Sequence, residues 1–502
     1  MKNFILNGRD LNINSLHEMV FSSGVFSLSE DAVAEIKKSR DYIESRIQTG
    51  EVMYGVNTGF GAFSSVRISD SQIEQLQKNL IRSHSVGIGE PFTKDQSKAM
   101  MILRANTLAR GHSGIRLEVV SKILEFLNHD VIPIIPSQGS VGASGDLAPL
   151  SHLALALIGE GEVWGGTLKS IKPLELKAKE GLSLINGCQV MTAVGLLSLY
   201  EAIQLMKLVD ISGAMSLEGL RGSRKPLDPL IAETRPHSGE AKTAKNLLRI
   251  LGEESEISKS HAVNDHRVQD AYSVRCMPAV HGAVKMGIEY AVKVLETEAN
   301  SSTDNPLVFA DAGKILSCGN FHGMPVAHAM DFAGILISSL ASISHERISK
   351  FISTQMSELP PFLALDGGLN SGHMMIQVAS ASLVSENKIL SHPASVDSMP
   401  TSAEKEDHVS MGSIAARKFN SIVKNAYNVV AMEFLANTQA LDMILPLKPT
   451  AGVLSAYNCI RREVPYAKED RIFSHDVTKI HKMMKDDSII KAVEQTVGVL
   501  NV

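Results

Sequence analysis

Cysteine is scarce. Four residues of this type, Cys188, Cys276, Cys318 and Cys459, are spread over a chain of 502. They make neither a disulfide framework nor a pair at metal-ligand spacing, which excludes a small stapled fold and points to a reducing, cytoplasmic setting. Aromatics are equally thin at 5%, too few for a sandwich or barrel, whose strands draw on aromatic and β-branched side chains. Neither charge sign dominates. Lys and Arg number 49 against 54 Asp and Glu, for a net charge of -5, so no basic surface is on offer to nucleic acid or anionic membrane. Long hydrophobic runs are missing too. The charge-free stretch 332–345 is too short and too serine-rich to span a bilayer, and Met1-Lys2-Asn3-Phe4 does not start a signal peptide. Nucleotide motifs fail on inspection. Trp164 stands where the dinucleotide fingerprint beginning at Gly159 needs its third glycine. His345-Glu346 lacks the second histidine of a zinc helix, so no metal is expected.

What the chain does have is Ala, Leu, Ser and Met in quantity, which favours packed helices. The length suggests up to about three domains and a core large enough to need no staples. Long helical patterns are predicted from 189 through 208 and over 278–299, 326–352, 376–390 and 412–441. Several show little polar face, as in a large bundle or an oligomer core. Shorter helices start at capping boxes, Ser69-x-x-Gln72 and Thr93-x-x-Gln96 among them. Residues 4–13, turning at Asn7-Gly8, read as a hairpin. Residues 169–180 read as a polar surface excursion. The expected fold class is mainly α with short β elements only. A domain boundary is expected near 185, dividing 1–185 from a long-helix bundle, 186–502.

The most unusual stretch is Gly139-Ser140-Val141-Gly142-Ala143-Ser144-Gly145-Asp146-Leu147-Ala148-Pro149. Extended backbone must precede it, because Pro133 and Pro136 bias their predecessors away from helix. A helix should follow, with Asp146 placed to cap it and Pro149 in its first turn. Ala143, Ser144 and Gly145 then lie near the positive end of a helix dipole. Gly145 has no Cβ, so its backbone can approach where other residues clash. Attack of its amide nitrogen on the Ala143 carbonyl carbon closes a five-membered ring. Loss of water from Ser144 then leaves an exocyclic methylene, an electrophile that no ordinary side chain supplies. The plain structural alternative is a tight Gly/Ser turn before a helix, which is common. A nucleophile elbow fails because Asp146 occupies the position of its last glycine, and a phosphate loop fails for want of a lysine.

Other clusters carry polar groups at suggestive positions, each with a structural alternative. Tyr54 lies in a glycine-rich loop, Tyr54-Gly55-Val56-Asn57-Thr58-Gly59-Phe60-Gly61, of the kind that often holds functional residues; it also suits an anchor for that loop. His84 ends a helix, where a histidine complements the dipole. Asn186 suits an N-cap as well as a site amide. Gln269, Tyr272 and Arg275 are three apart, so a helical turn would put them on one face. There Arg275 could clamp a carboxylate in two-pronged fashion, or the face could simply be solvated. Phe321, between Asn320 and Gly323, reads as pocket wall or as core. Glu406, in Glu404-Lys405-Glu406-Asp407-His408, is an acid/base candidate or part of a solvated loop.

Taken in chain order, these motifs resemble those of the aromatic amino acid ammonia-lyases, over nearly the whole length. The resemblance implies that Ala143, Ser144 and Gly145 cyclise to methylidene-imidazolone (MIO), with no external cofactor. It implies catalytic roles for Tyr54 and Tyr272, amides at Asn186 and Gln269, carboxylate binding by Arg275 and a pocket wall at Phe321. His84 and Glu406 match the positions that face the substrate side chain. Their identities are nearest to the histidine-acting members, which implies L-histidine as substrate and trans-urocanate and ammonia as products. Phenylalanine or tyrosine lyase and MIO-dependent aminomutase chemistry remain the alternatives. An almost wholly helical homotetramer with active sites shared between subunits is the fold and assembly implied.

Overall fold

A computed structural model describes residues 2–59, 61–63, 66–165, 171–263, 265 and 267–502. Helix makes up 61% and strand 7%, and the sheets are small and two-stranded, so the molecule is mainly α. Its contacts divide into two compact units, one of residues 1–200, 291–331 and 393–420, the other of 201–290, 332–392 and 421–502.

In the first unit, strand Lys2–Leu6 pairs in parallel with Gly24–Leu28, and helix Ile13–Phe21 lies between them in the chain. The hairpin expected here does not form. Asn7 and Gly8 do turn, with Gly8 at φ +79°. Asn12 and Ser15 then close a reciprocal capping box, which commits the next nine residues to helix. Helix Lys94–Ala109 is the core element, buried almost throughout from Ala99 onward. Leu117–Asn128 packs against it, while Leu147–Leu157 and Glu180–Ile185 pack on each other and on helix Ile73–His84. The surface excursion expected over 169–180 is also corrected, although 166–170 lie outside the described residues. Leu174, Leu176, Ala178, Lys179 and Glu180 are buried. Their polarity misled because the charges are paired. Lys179 donates to Asp304 at 2.7 Å, and Glu180 accepts from Arg116 at 2.7 Å, as buried charges require.

The second unit is knit by buried ions. Glu433 accepts from Arg347 and from Ser212, Ser216 and Ser344. Asp210 accepts from Lys285, His281 and Asn246. Four long helices, Gln189–Gly219, Met277–Ala299, Met324–Ile352 and Gly412–Met443, each contribute residues to both units. The predicted helix from 189 thus runs a further three turns past 208. Gln189–Gly219 and Met324–Ile352 are long and apolar enough to cross a membrane. Their most apolar windows are 67% and 56% buried inside the protein, which marks them as core helices.

Candidate active site

The Gly139–Pro149 segment sits in the first unit and is held from three sides. Gly142 and Gly145 have φ +66° and +74°, left-handed values that disfavour any residue with a Cβ. A Cβ on Gly145 would fall 2.3 Å from the Gly187 carbonyl oxygen. Glycine is therefore what lets the two backbones touch, and the Asp146 N–H donates to that same carbonyl at 2.7 Å. Asp146 precedes helix Leu147–Leu157 but does not cap it with its side chain. Its carboxylate instead accepts from Ser140 Oγ at 2.8 Å and from the Met191 N–H at 2.9 Å. Burial pushes its pKa up to about 6, because desolvation disfavours the charged form.

Across from the segment, Asn186 ends helix Glu180–Ile185 as its C-terminal cap residue rather than starting the next helix. Its Nδ2 donates to the Ser144 carbonyl at 2.8 Å. Its Oδ1 is buried with no hydrogen-bond partner among the described residues. The Asn186 carbonyl is gripped by both terminal nitrogens of Arg104 at 3.0 Å. That guanidinium is fully buried, and desolvation lowers its pKa to about 10. Arg104 is a site residue that sequence reasoning missed, since nothing local distinguishes an arginine inside an apolar helix. A Cβ on Gly187 would lie 2.6 Å from Arg104 Nη1, and that glycine was the available hint.

On the other side of Ser144, its hydroxyl donates to Glu406 Oε1. Glu406 Oε2 accepts from the Thr401 hydroxyl at 2.8 Å. His84 ends helix Ile73–His84 as expected, and its Nδ1 shares hydrogen bonds with the Leu80 carbonyl (2.9 Å) and Ser83 Oγ (3.1 Å). Nδ1–H donation to Leu80 makes Nε2 the acceptor nitrogen. Burial lowers the His84 pKa, against the opposing pull of the Leu80 bond and of Glu406, so the neutral ring is favoured. Tyr54 is carried by a loop that Asn57 folds tightly, accepting from the Met53 N–H at 2.8 Å and donating to the Glu51 carbonyl at 2.7 Å. Phe60 of that loop lies outside the described residues. Burial raises the Tyr54 pKa above its ordinary 10, and Glu406 adds to the rise. Phe321 accepts from Cys188 Sγ through its carbonyl at 3.1 Å.

Tyr54, His84, Ala143, Ser144, Asn186, Phe321 and Glu406 all line one cavity of about 790 Å³, with Gly145 directly behind Ser144 in the chain. His322 and His408 line it too. Their rings are parallel with centroids 6.0 Å apart, and sequence reasoning overlooked both. Gln269, Tyr272 and Arg275 belong to the second unit and do not line this cavity. Only Tyr272–Arg275 is helical, so Gln269 stands outside the turn expected to align all three. Tyr272 is 71% exposed and lies under the Arg275 guanidinium at 4.6 Å. It borders a second cavity with Ser273, Cys276 and Glu346.

Chemically, the first cavity presents a serine between an alanine and a glycine, an amide on its carbonyl, a carboxylate on its hydroxyl, and an imidazole and a phenol nearby. Residues 11–462 match the family described as aromatic amino acid lyase. A histidine ammonia-lyase of Alkaliphilus oremlandii (strain OhILAs) is 45% identical over 507 residues, covering 99% of each chain. The crystal structure of histidine ammonia-lyase from Trypanosoma cruzi superposes with a TM-score of 0.92 at 40% identity, over 100% of this chain and 98% of that one. That of tyrosine aminomutase from Streptomyces globisporus gives a TM-score of 0.93 at 32% identity, over 100% of both.

Proposed function

The chain belongs to the aromatic amino acid lyase family, and from that premise we propose that it is a carbon–nitrogen lyase that eliminates ammonia from L-histidine to give trans-urocanate. The observation that carries the reading is Ser144, braced by Asn186 and Glu406 in a cavity that also holds His84.

Ala143, Ser144 and Gly145 fit the MIO precursor. The Gly145–Gly187 contact leaves no room for a Cβ. Asn186 already donates to the Ser144 carbonyl, and its own buried Oδ1 awaits a donor. Once formed, the group supplies an electrophile for the substrate amine, which turns ammonia into a competent leaving group. The remaining tasks fall to side chains. His84 and Glu406 offer an imidazole ring the polar partners that it needs, since a buried unpaired nitrogen is costly. Phe321 walls the cavity against water. Removal of the β-proton is assigned to Tyr54, with Glu406 as the second candidate. A phenol raised by burial is a poor base until positive charge approaches it. Arg275 of another copy of the chain is the natural source of that charge, and it would hold the substrate carboxylate at the same time. Gln269 and Tyr272 would arrive on the same segment. The exposure of Tyr272 supports this sharing of sites within a homotetramer.

The fold similarity to a tyrosine aminomutase keeps one rival in play, the re-addition of ammonia at the β-carbon. A parallel ultraviolet assay with L-histidine, L-phenylalanine and L-tyrosine, with ammonia determined separately, decides. Urocanate from histidine alone is expected. Cinnamate or coumarate would contradict the roles given to His84 and Glu406. A β-amino acid on chiral analysis would establish the mutase.

A further inference from the structure

The segment that presents Glu406 has an unusual backbone. Ser402, Ala403 and Glu404 all have positive φ, 54°, 53° and 66°. None is glycine, and three left-handed residues in succession are disfavoured for side chains with a Cβ. Something must hold such a turn closed. The Thr401 N–H donates to the Glu406 carbonyl at 2.9 Å, and the Glu406 N–H returns to the Thr401 carbonyl at 3.3 Å. The Thr401 hydroxyl then donates to Glu406 Oε2 at 2.8 Å, while Ser144 occupies Oε1. Both carboxylate oxygens are thereby held while Ser144 keeps its hydroxyl, one by Ser144 and one by Thr401; once cyclisation removes that hydroxyl, Thr401 still holds Oε2 and Oε1 is left to face the substrate.

We propose that Thr401 is a positioning residue for the reaction, whose hydroxyl sets the orientation of the Glu406 carboxylate toward Ser144 and the substrate ring. The proposal rests on the role given to Glu406 above. A glutamate carboxylate turns easily about its last torsion. After the Ser144 hydroxyl is lost, the Thr401 hydroxyl is a donor that still restrains it. The root of the loop is secured separately. The Ser395 N–H donates to Asp331 at 2.7 Å and the Val409 N–H to Ser398 Oγ at 3.1 Å. Loss of the Thr401 hydroxyl therefore frees the carboxylate and leaves the loop attached.

The test is steady-state kinetics on L-histidine for the full-length wild type, Thr401→Val, Thr401→Ser, Glu406→Gln and the Thr401→Val/Glu406→Gln double variant. Intact mass and a thermal melt check that each is cyclised and folded, and Thr401→Ala replaces Thr401→Val if the valine misfolds. Thr401→Val is expected to lower kcat/KM about tenfold, the scale of one hydrogen bond to a charged group. Thr401→Ser should stay within about twofold of wild type, because it keeps the donor. The double variant should be no worse than Glu406→Gln alone, because the two residues act as one unit. A fully active Thr401→Val beside an impaired Glu406→Gln overturns the positioning role and leaves that of Glu406 standing. So does a Thr401→Ser as impaired as the valine, or additive losses in the double variant. A fully active Glu406→Gln overturns the role of Glu406, and this one with it.

Discussion

Asn186 and Asp146 flank the same tripeptide, and each makes a separate prediction. The Asn186 side chain donates to the Ser144 carbonyl, and its own backbone is pinned by Arg104. Asn186→Ala should lower kcat by at least about a hundredfold, the scale on which loss of one preorganised donor is felt, with the melting temperature nearly unchanged. Asp146 bears on stability. Its folded pKa of about 6 lies above the unfolded value of about 3.9. Between those values the folded state holds the proton that the unfolded state has released, so stability falls as pH rises. The loss is complete above about pH 6 and is on the order of 3 kcal/mol. Asp146→Asn preserves the shape and has no proton to lose. Denaturant midpoints of the two proteins at pH 4, 5, 6 and 7 should diverge through that window in favour of the variant. A constant difference would show that Asp146 is ionised throughout.

At the scale of elements, helices were legible wherever their apolar faces were wide. The patterns at 278–299 and 376–390 end within two residues of Met277–Ala299 and Met374–Leu390. Short elements were less so. The 169–180 stretch looked solvated because its charges could be counted while their partners, Asp304 and Arg116, lie far off in the chain. The parallel pairing of Lys2–Leu6 was hidden in the same way behind an intervening helix. Long-range pairing of ions is also what the second unit depends on. Glu433 on helix Gly412–Met443 ties together serines of two other helices and the Arg347 guanidinium. Glu433→Ala would strand a buried arginine, a loss of about 3–5 kcal/mol. A thermal melt should show it plainly, with Glu433→Gln closer to wild type.

For the whole molecule, the site was legible as a set of residues and only partly as a place. Seven of the expected side chains meet in one cavity because motifs distant in sequence are packed against the Gly139–Pro149 segment. Gln269, Tyr272 and Arg275 do not join them within the chain, and spacing along a sequence carries no information about which copy a residue serves. Sharing between copies makes a direct prediction. Tyr54→Phe and Arg275→Met should each be nearly inactive. Co-expressed, they should recover up to about a quarter of wild-type activity, because random assembly rebuilds that share of sites with both residues intact. No recovery in mixed oligomers would place both residues in sites built by single chains.

The central claim is that Ala143, Ser144 and Gly145 form a reaction centre and not a turn. Peptide mass mapping of the purified protein tests it most directly. The fragment carrying these residues should be lighter by two waters, and in Ser144→Ala the loss should be incomplete and activity absent. A wild-type fragment at its full genetically encoded mass would contradict the account.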